Sequence, residues 1–264
     1  QRPMPTFSTK PFKSSEAGAA PASPEAPRVA LYVDTFGRFQ EPSIPRAALT
    51  VLQAAGAHVE VPAYRCCGRT YLSKGFVPQA EKLARELVAT YAPLAKAGVA
   101  IVGLEPSCIL TLRDEVPRLV PGDDAKAVAA AAVTFEEWCD AHADRLAALD
   151  WQTPAGETDM ALVHGHCHQK ALSRMSASHA CLGAAGLSVT ESGAGCCGVA
   201  GSFGYEAEHY DVSIAIAEDR LAPAVRAAPE AVVVAAGTSC REQIHHTTGR
   251  TALHPAEVLA ARLG

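Results

Sequence analysis

The sequence predicts an α/β protein built from two copies of one unit. Each copy is a small parallel sheet flanked by helices, and the two are expected to be related by a pseudo-two-fold. Three observations predict this. First, a cysteine pattern recurs. Cys66-Cys67-Gly68 is followed by Ser107-Cys108, and Cys196-Cys197-Gly198 by Ser239-Cys240, at offsets of 130 and 132 residues. Second, the stretch RVALYV at 28–33 matches DMALVH at 159–164 at an offset of 131. Landmarks that share nearly one offset indicate an internal repeat. Third, short, wholly apolar runs alternate with amphipathic helical patterns. That is the sequence signature of parallel strands covered on both faces.

The elements follow in order. Residues 1–27 are rich in Pro, Ala and Ser without periodicity and read as a linker or extended arm. A chain that starts at Gln1 in such a segment reads as a piece of something longer or as a processed form. The first unit runs over 28–121. Val29–Val33 is a strand, and Ser43 is expected to cap a helix with Pro45 in its first turn. Leu49 and Leu52 face inward, and Gly56 stops that helix. His58–Val61 is the second strand and delivers the Cys-Cys-Gly turn. Leu83, Leu87, Tyr91 and Leu94 mark a long helix that ends at Gly98. Val99–Val102 is the third strand.

Residues 122–158 read as a helical connector, with Trp138 and Leu146 among its apolar positions. The second unit, 159–264, repeats the order. Met160–Val163 is a strand, a helix reaches about Ala185, and Leu187–Thr190 is a second strand. A helix then runs from Glu206 to about Ala227, Val232–Ala235 is the third strand, and Pro255–Leu263 is a closing helix. In parallel sheets the loops at the carboxyl ends of the strands form the site. Every cysteine of the repeat follows a strand, so each set is expected to gather at one edge of its sheet.

Composition narrows the function. The 264 residues suffice for one or two domains. With 48% hydrophobic and 19% charged residues the chain is globular. A net charge of −5 and no basic stripe argue against nucleic-acid binding. No apolar run approaches the roughly 18 residues of a membrane span. Nine cysteines, an odd and modest number, point to a reducing, cytoplasmic setting. There, clustered cysteines mean metal or redox chemistry.

The strongest constellation is Cys167, Cys196, Cys197 and Cys240. Four thiolates on convergent loops suit a tetrahedral zinc or an iron–sulfur cluster. Adjacent cysteines such as Cys196 and Cys197 point apart, which fits a body several Å across better than one small ion. The bland alternative is a buried apolar pair or a disulfide. Gly198, Gly201 and Gly204 lead into a helix, so backbone N–H groups and the helix dipole would favour an anionic centre. A phosphate cradle is the lesser reading of the same glycines.

The first unit offers Cys66, Cys67 and Cys108. Its fourth position falls at Asp34-Thr35-Phe36, without a cysteine. Three thiolates there would recruit Asp34 as an oxygen ligand, bind zinc, stay empty, or share a site with the other unit. Of His164, His166 and His168, His168 is the best candidate for a ligand or proton donor, and the others read as structural. Lys170 would balance cluster charge or be solvated. Arg241 would steer an acidic substrate or lie on the surface, and His245 and His246 read as a polar loop. Cys139 and Cys181 lie outside the pattern and read as core.

The twice-given pattern of a cysteine, a Cys-Cys-Gly and a later cysteine resembles the cysteine-rich CCG domain family. That family includes the B subunit of heterodisulfide reductase, lactate-utilisation proteins, and the iron–sulfur subunits of glycolate oxidase and anaerobic glycerol-3-phosphate dehydrogenase. The strings GLEPSCILTLRDE (103–115), HGHCHQKA (164–171), CCGVAGSFGYEAEHYDVS (196–213) and GTSCREQI (237–244) are most similar to one branch. It is the carboxyl-terminal region of FAD-linked oxidases acting on D-2-hydroxy acids such as D-lactate or D-2-hydroxyglutarate.

The resemblance runs from about residue 28 to the end. It implies a [4Fe–4S] cluster, cubane or not, on Cys167, Cys196, Cys197 and Cys240. More weakly, it implies a cluster or zinc on Cys66, Cys67 and Cys108, with His168, Gly198 and Ser239 around the sites. The chain departs from the fullest family pattern. The first cysteine of unit one is missing, and the final Cys-x-x-Cys keeps one cysteine per unit, with Thr111 and Gln243 in the second places.

The implied function is electron transfer from a flavin-containing dehydrogenase domain or partner that carries FAD and ferredoxin-like clusters, with peripheral membrane association through that partner. Two other readings remain: a thiol or heterodisulfide reductase, and a non-redox zinc module that docks subunits.

Overall fold

The computed structural model describes residues 2–18 and 25–264; Gln1 and residues 19–24, part of the expected arm, lie outside the described residues. The chain divides into two compact units. One is Phe7–Trp138. The other is Cys139–Gly264, joined by the arm's first residues as far as Thr6. Among the described residues no helix is long and apolar enough to cross a membrane.

In the first unit, β1 (Arg28–Tyr32), β2 (His58–Glu60), β3 (Ala100–Gly103) and β4 (Ala132–Thr134) form a wholly parallel sheet of order β2-β1-β3-β4. From Val29 to Tyr32 every residue of β1 is buried, as a strand covered on both faces requires. The helices are α1 (Thr35–Phe39), α2 (Ser43–Ala54), α3 (Arg69–Ser73), α4 (Val77–Lys96), α5 (Pro106–Arg113), α6 (Val116–Leu119) and α7 (Asp123–Ala131). Leu49 and Leu52 point inward as the period predicts. On α4, Leu87 and Tyr91 are buried together with Ala80, Ala84, Val88 and Ala92. The alanines let the helix lie close, and Leu83 and Leu94 are only half-buried.

Two local expectations change here. Ser43 does not cap α2. It is the first helical residue, and Pro42 stands at the cap with no side-chain bond. The segment 122–158 is not a separate helical connector. Its residues Ala132–Thr134 form β4 against β3, and the rest supplies α7, α8 (Phe135–Ala141) and α9 (Ala143–Ala147). Three residues between helices in an alanine-rich run give no local strand signal. Pairing with β3 creates the strand.

The arm contributes to the first unit's packing. The Ser8 and Phe12 N–H groups donate to the carbonyls of Phe39 and Arg38 at 2.7 and 2.9 Å. Phe12 is buried, and a short 3-10 turn follows at Ser14–Ala17.

The second unit repeats the plan. β5 (Met160–Val163), β6 (Ser188–Glu191), β7 (Val232–Val234) and β8 (Ala252–Leu253) are parallel in the order β6-β5-β7-β8. Around them lie α10 (Cys167–Leu172), α11 (Met175–Ala184), α12 (Tyr210–Ile216), α13 (Ala222–Ala227), α14 (Thr238–Thr248) and α15 (Pro255–Arg262). Here β8 is the two-residue counterpart of β4. A π-helical turn over Ala217–Leu221 joins α12 to α13. The helix expected from Glu206 starts at Tyr210, after two 3-10 turns. Cys139 and Cys181 are buried core residues outside any disulfide.

Candidate functional site

Each sheet presents its cysteines at the carboxyl ends of its strands, three strands in the second unit and two in the first. In the second unit, β5 leads into α10, whose first residue is Cys167. β6 leads into the loop with Cys196 and Cys197, and β7 leads into α14, whose first turn holds Cys240. The sulfurs form a connected series. Cys167 lies against Cys196, Cys196 against Cys197, Cys197 against Cys240, and Cys240 against His164. Cys167 is exposed, Cys196 half-buried, and Cys197 and Cys240 are buried.

Gly198 makes the turn. Its φ is +92°, and an added Cβ would lie 2.4 Å from the carbonyl oxygen of Ser213, so both conformation and space exclude a side chain. Its N–H donates to Cys196 Sγ at 3.3 Å, as the glycine-rich turn predicts. Lys170, half-buried, donates to the carbonyl of Ala194 and holds the loop ahead of the doublet.

The electrostatics favour thiolate. Hydrogen bonds from Cys167 and Cys197 pull the Cys196 thiol well down, with help from the Gly198 N–H and His164. Cys240 is pulled down by Cys197 and by His164 and His166, against the cost of burial. Cys167 and Cys197 move up because each donates to a neighbour already charged. Cys240 also gains from the amino end of an eleven-residue helix.

The histidines do not follow the expected ranking. His168 is half-buried, its backbone N–H donates to His166 Nδ1 at 3.2 Å, and its ring sits 6.0 Å from that of His166. His164 and His166 are the buried ones, and both act on Cys240. His166 also caps α10, and Gly237 leaves room for it: a Cβ there would lie 2.4 Å from His166 Cδ2.

Arg241 is not on the surface. It is buried and donates to the carbonyls of Ala235 and Ala236 at 2.9 and 2.7 Å, tying off the end of β7. His245 and His246 lie in the last turn of α14, not in a loop, and His246 bonds the Tyr210 hydroxyl. Ser239 is half-buried on α14 beside Cys240. Gln243, in place of a second cysteine, is buried; its Nε2 donates to the Ser213 carbonyl and its Oε1 accepts from Arg2. That position is spent on holding α14, α12 and the arm together. Glu206, Glu208 and His209 bring ligand atoms within 4.8 Å of one another near the surface. Glu206 is already bonded to Ser202 and His209.

The first unit builds the same frame with different contents. Cys67 donates to Cys108 Sγ at 3.3 Å, and the Gly68 N–H reaches Cys66 Sγ at 3.5 Å. Asp34 caps α1 as His166 caps α10, so Thr35, the first helical residue, stands where Cys167 does. Thr35 Oγ1 lies 4.0 Å from Cys66 Sγ and bonds the Tyr64 hydroxyl. Counting at a fixed offset of 131 gives Phe36 instead; the second unit has one extra residue before its helix.

Asp34 Oδ1 accepts from the N–H groups of Phe36 and Gly37, so this carboxyl first serves as a cap. Burial and the nearby Glu105 raise it to about 7. The hydrogen bond from Cys67 to Cys108 is outweighed by burial, Asp34, Glu105 and Cys66, and Cys108 is pushed up to about 12. Cys66 and Cys67 move up as well, each chiefly through the neighbouring sulfur to which it donates. The remaining second place of the family pattern, Thr111, is buried and bonds back to the Ser107 carbonyl.

The residues of the second unit fit a thiolate-bound cluster. Four cysteines converge, two of them favour the charged form, and the Nε2 of His164 is buried with its ring against Cys240.

Known proteins bear on this frame. The chain is similar to D-2-hydroxyglutarate dehydrogenase of Pseudomonas putida, 28% identical over 233 residues that cover 88% of this chain and 22% of that protein. Similarity to the C subunit of the anaerobic glycerol-3-phosphate dehydrogenase of Escherichia coli is 26% over 271 residues, covering 100% of this chain and 66% of that protein. Lactate utilization protein A of Exiguobacterium is 29% identical over 246 residues, covering 88% of this chain and 97% of that protein. The chain thus spans about a fifth of the length of the D-2-hydroxyglutarate dehydrogenases it matches. The model of the CCG cysteine-rich domain matches twice, at residues 31–113 and 161–245, one match on each sheet and its cysteines. The chain belongs to the CCG cysteine-rich domain family.

Proposed function

We propose that the chain is the iron–sulfur module of a flavin-linked dehydrogenase of 2-hydroxy acids. The observation that carries this reading is the convergence of Cys167, Cys196, Cys197 and Cys240 at one sheet edge, with Cys196 and Cys240 drawn toward thiolate. When bound, a [4Fe–4S] cluster on these four residues would supply one-electron transfer. The chain's own part is to hold the thiolates. The Gly198 N–H, the α14 amino end and the histidines offset their charge. Hydride removal from the acid belongs to FAD on another domain or partner. Relatives named as dehydrogenases, most of whose length lies outside the match, support that division.

Metal analysis of the chain purified without oxygen tests the reading. About four iron and four acid-labile sulfide per chain are expected. Zinc without sulfide would overturn it. The exposure of Cys167 favours a second reading, in which a substrate disulfide approaches the cluster at its open edge. Reduction of a small disulfide by the reduced chain alone would support that reading over simple electron carriage.

A further inference from the structure

His164 is the residue after β5, and its imidazole is 1% exposed. Its Nδ1 lies 3.1 Å from the Ser192 hydroxyl. That hydroxyl also receives the Ala194 N–H at 3.4 Å. The hydroxyl can serve either ring tautomer, and the one proposed below has Ser192 donating to Nδ1. The proton of a neutral imidazole then sits on Nε2. That atom is buried and has no hydrogen-bond partner among the described residues. A buried donor left unpaired forfeits its hydration without return, and the acceptor that the polypeptide places beside this ring is the Cys240 sulfur. The side chain lies against Cys240. In the first unit the matching position is Val33, which donates nothing.

We propose that His164 donates an Nε2–H hydrogen bond to a cluster sulfur at Cys240 and thereby raises the reduction potential of the second unit's cluster. This rests on the cluster reading above. Donors to cluster sulfurs ease the addition of an electron because they offset the added negative charge. His164 is a positioning and tuning residue, not a catalytic one. The first unit has Val33 at that position and no counterpart to this donor.

The test is a redox titration of the anaerobically purified full chain, followed by electron paramagnetic resonance, with iron and sulfide measured in the same samples. His164→Val copies the first unit. With unchanged iron and sulfide, its midpoint is expected to fall by about 59 mV, a tenfold change for a one-electron couple. His164→Gln, which restores a donor, should recover a large part of that fall. An unchanged midpoint in His164→Val at full cluster content would overturn the proposal.

If His164→Val loses the cluster, the wild-type chain decides. Labelled with 15N-histidine and reduced, it should show a 15N coupling to the cluster that His164→Gln lacks; no such coupling would overturn the proposal. A wild-type chain without iron and sulfide would instead overturn the cluster reading itself, and this inference with it.

Discussion

The two units share a strand order, a Cys-Cys-Gly turn and a helix-borne cysteine after the third strand, yet they set opposite conditions for sulfur. In the second unit the caps and neighbours are His166, His164 and Gly237, and two thiols are drawn toward thiolate. In the first unit the caps are Asp34 and Glu105, and all three thiols are pushed up. The fold therefore fixes where sulfur gathers; the neighbouring sulfurs set most of each thiol's shift, with His164 and His166 added at Cys240 and Asp34 and Glu105 at Cys108. Two buried carboxylates beside three thiols disfavour any further negative charge. On the cluster reading proposed above, the second site is expected to take an anionic cluster more readily than the first.

The largest test of this contrast removes one ligand from each unit. Cys196→Ser or Cys240→Ser should abolish cluster iron and sulfide in the full chain. Cys66→Ser and Cys108→Ser should leave most of both in place. Equal losses from both sets, read by iron and sulfide analysis, would erase the distinction between the units.

The turn glycines give the next largest effect. Gly198→Ala meets a left-handed φ, and its Cβ meets the Ser213 carbonyl at 2.4 Å. The two penalties together should cost about 3 kcal/mol or more. Gly68 has φ +77°, but its nearest neighbour, the Ala80 backbone, lies at 3.4 Å. Gly68→Ala should cost about 1–2 kcal/mol, from conformation alone. Denaturant unfolding of the two variants separates the terms, and equal losses would show that the Ser213 contact yields freely.

A smaller, gain-of-function change sharpens the comparison. Thr35→Cys restores a fourth thiol at the first position of α1, where the present hydroxyl lies 4.0 Å from Cys66 Sγ. Because Asp34 and Glu105 remain, only a fractional rise in bound iron is expected. A full second set of iron and sulfide would show that the missing ligand, and not the acidic caps, limits the first unit.

Much of this was legible in the residues. The duplicated doublets and the matching stretches at 28–33 and 159–164 located both sheets, because parallel strands buried on both faces must be apolar throughout. Ala132–Thr134 and Ala252–Leu253 were not legible. Strands of three and two residues exist through pairing with β3 and β7, not through their own composition. The four cysteines of the second site were legible from spacing. The rank among His164, His166 and His168 was not, since alternation along the chain does not reveal that a helix begins at Cys167 and turns His166 into its cap. Arg241 likewise read as a surface charge until the carbonyls at the end of β7 claimed it.

The smallest expected effect concerns the opposite ends of the sheets, where matching positions hold opposite charges. Arg28 opens β1 and pairs with Glu60 at 3.2 Å, both in solvent. Asp159 precedes β5 and pairs with Arg262 at 2.9 Å. Arg262 is buried, with carbonyls of Thr158 and Ala185 as further acceptors. The hydroxyl of Thr153 and the Arg262 guanidinium hold the Asp159 carboxyl below its ordinary value of 3.8. A depressed carboxyl contributes stability that is present above its unfolded value and lost as pH falls through its folded one. Acid unfolding of the wild-type chain should therefore include a small loss below about pH 4, which Asp159→Asn removes. Glu60→Gln should change the acid limb less, because both partners of that pair are in solvent and such pairs contribute little. The measurement is stability against pH for the three chains in low salt. A larger change from Glu60→Gln than from Asp159→Asn would mean that burial of the arginine does not strengthen its pair, and that the two units differ at their sulfur sites alone.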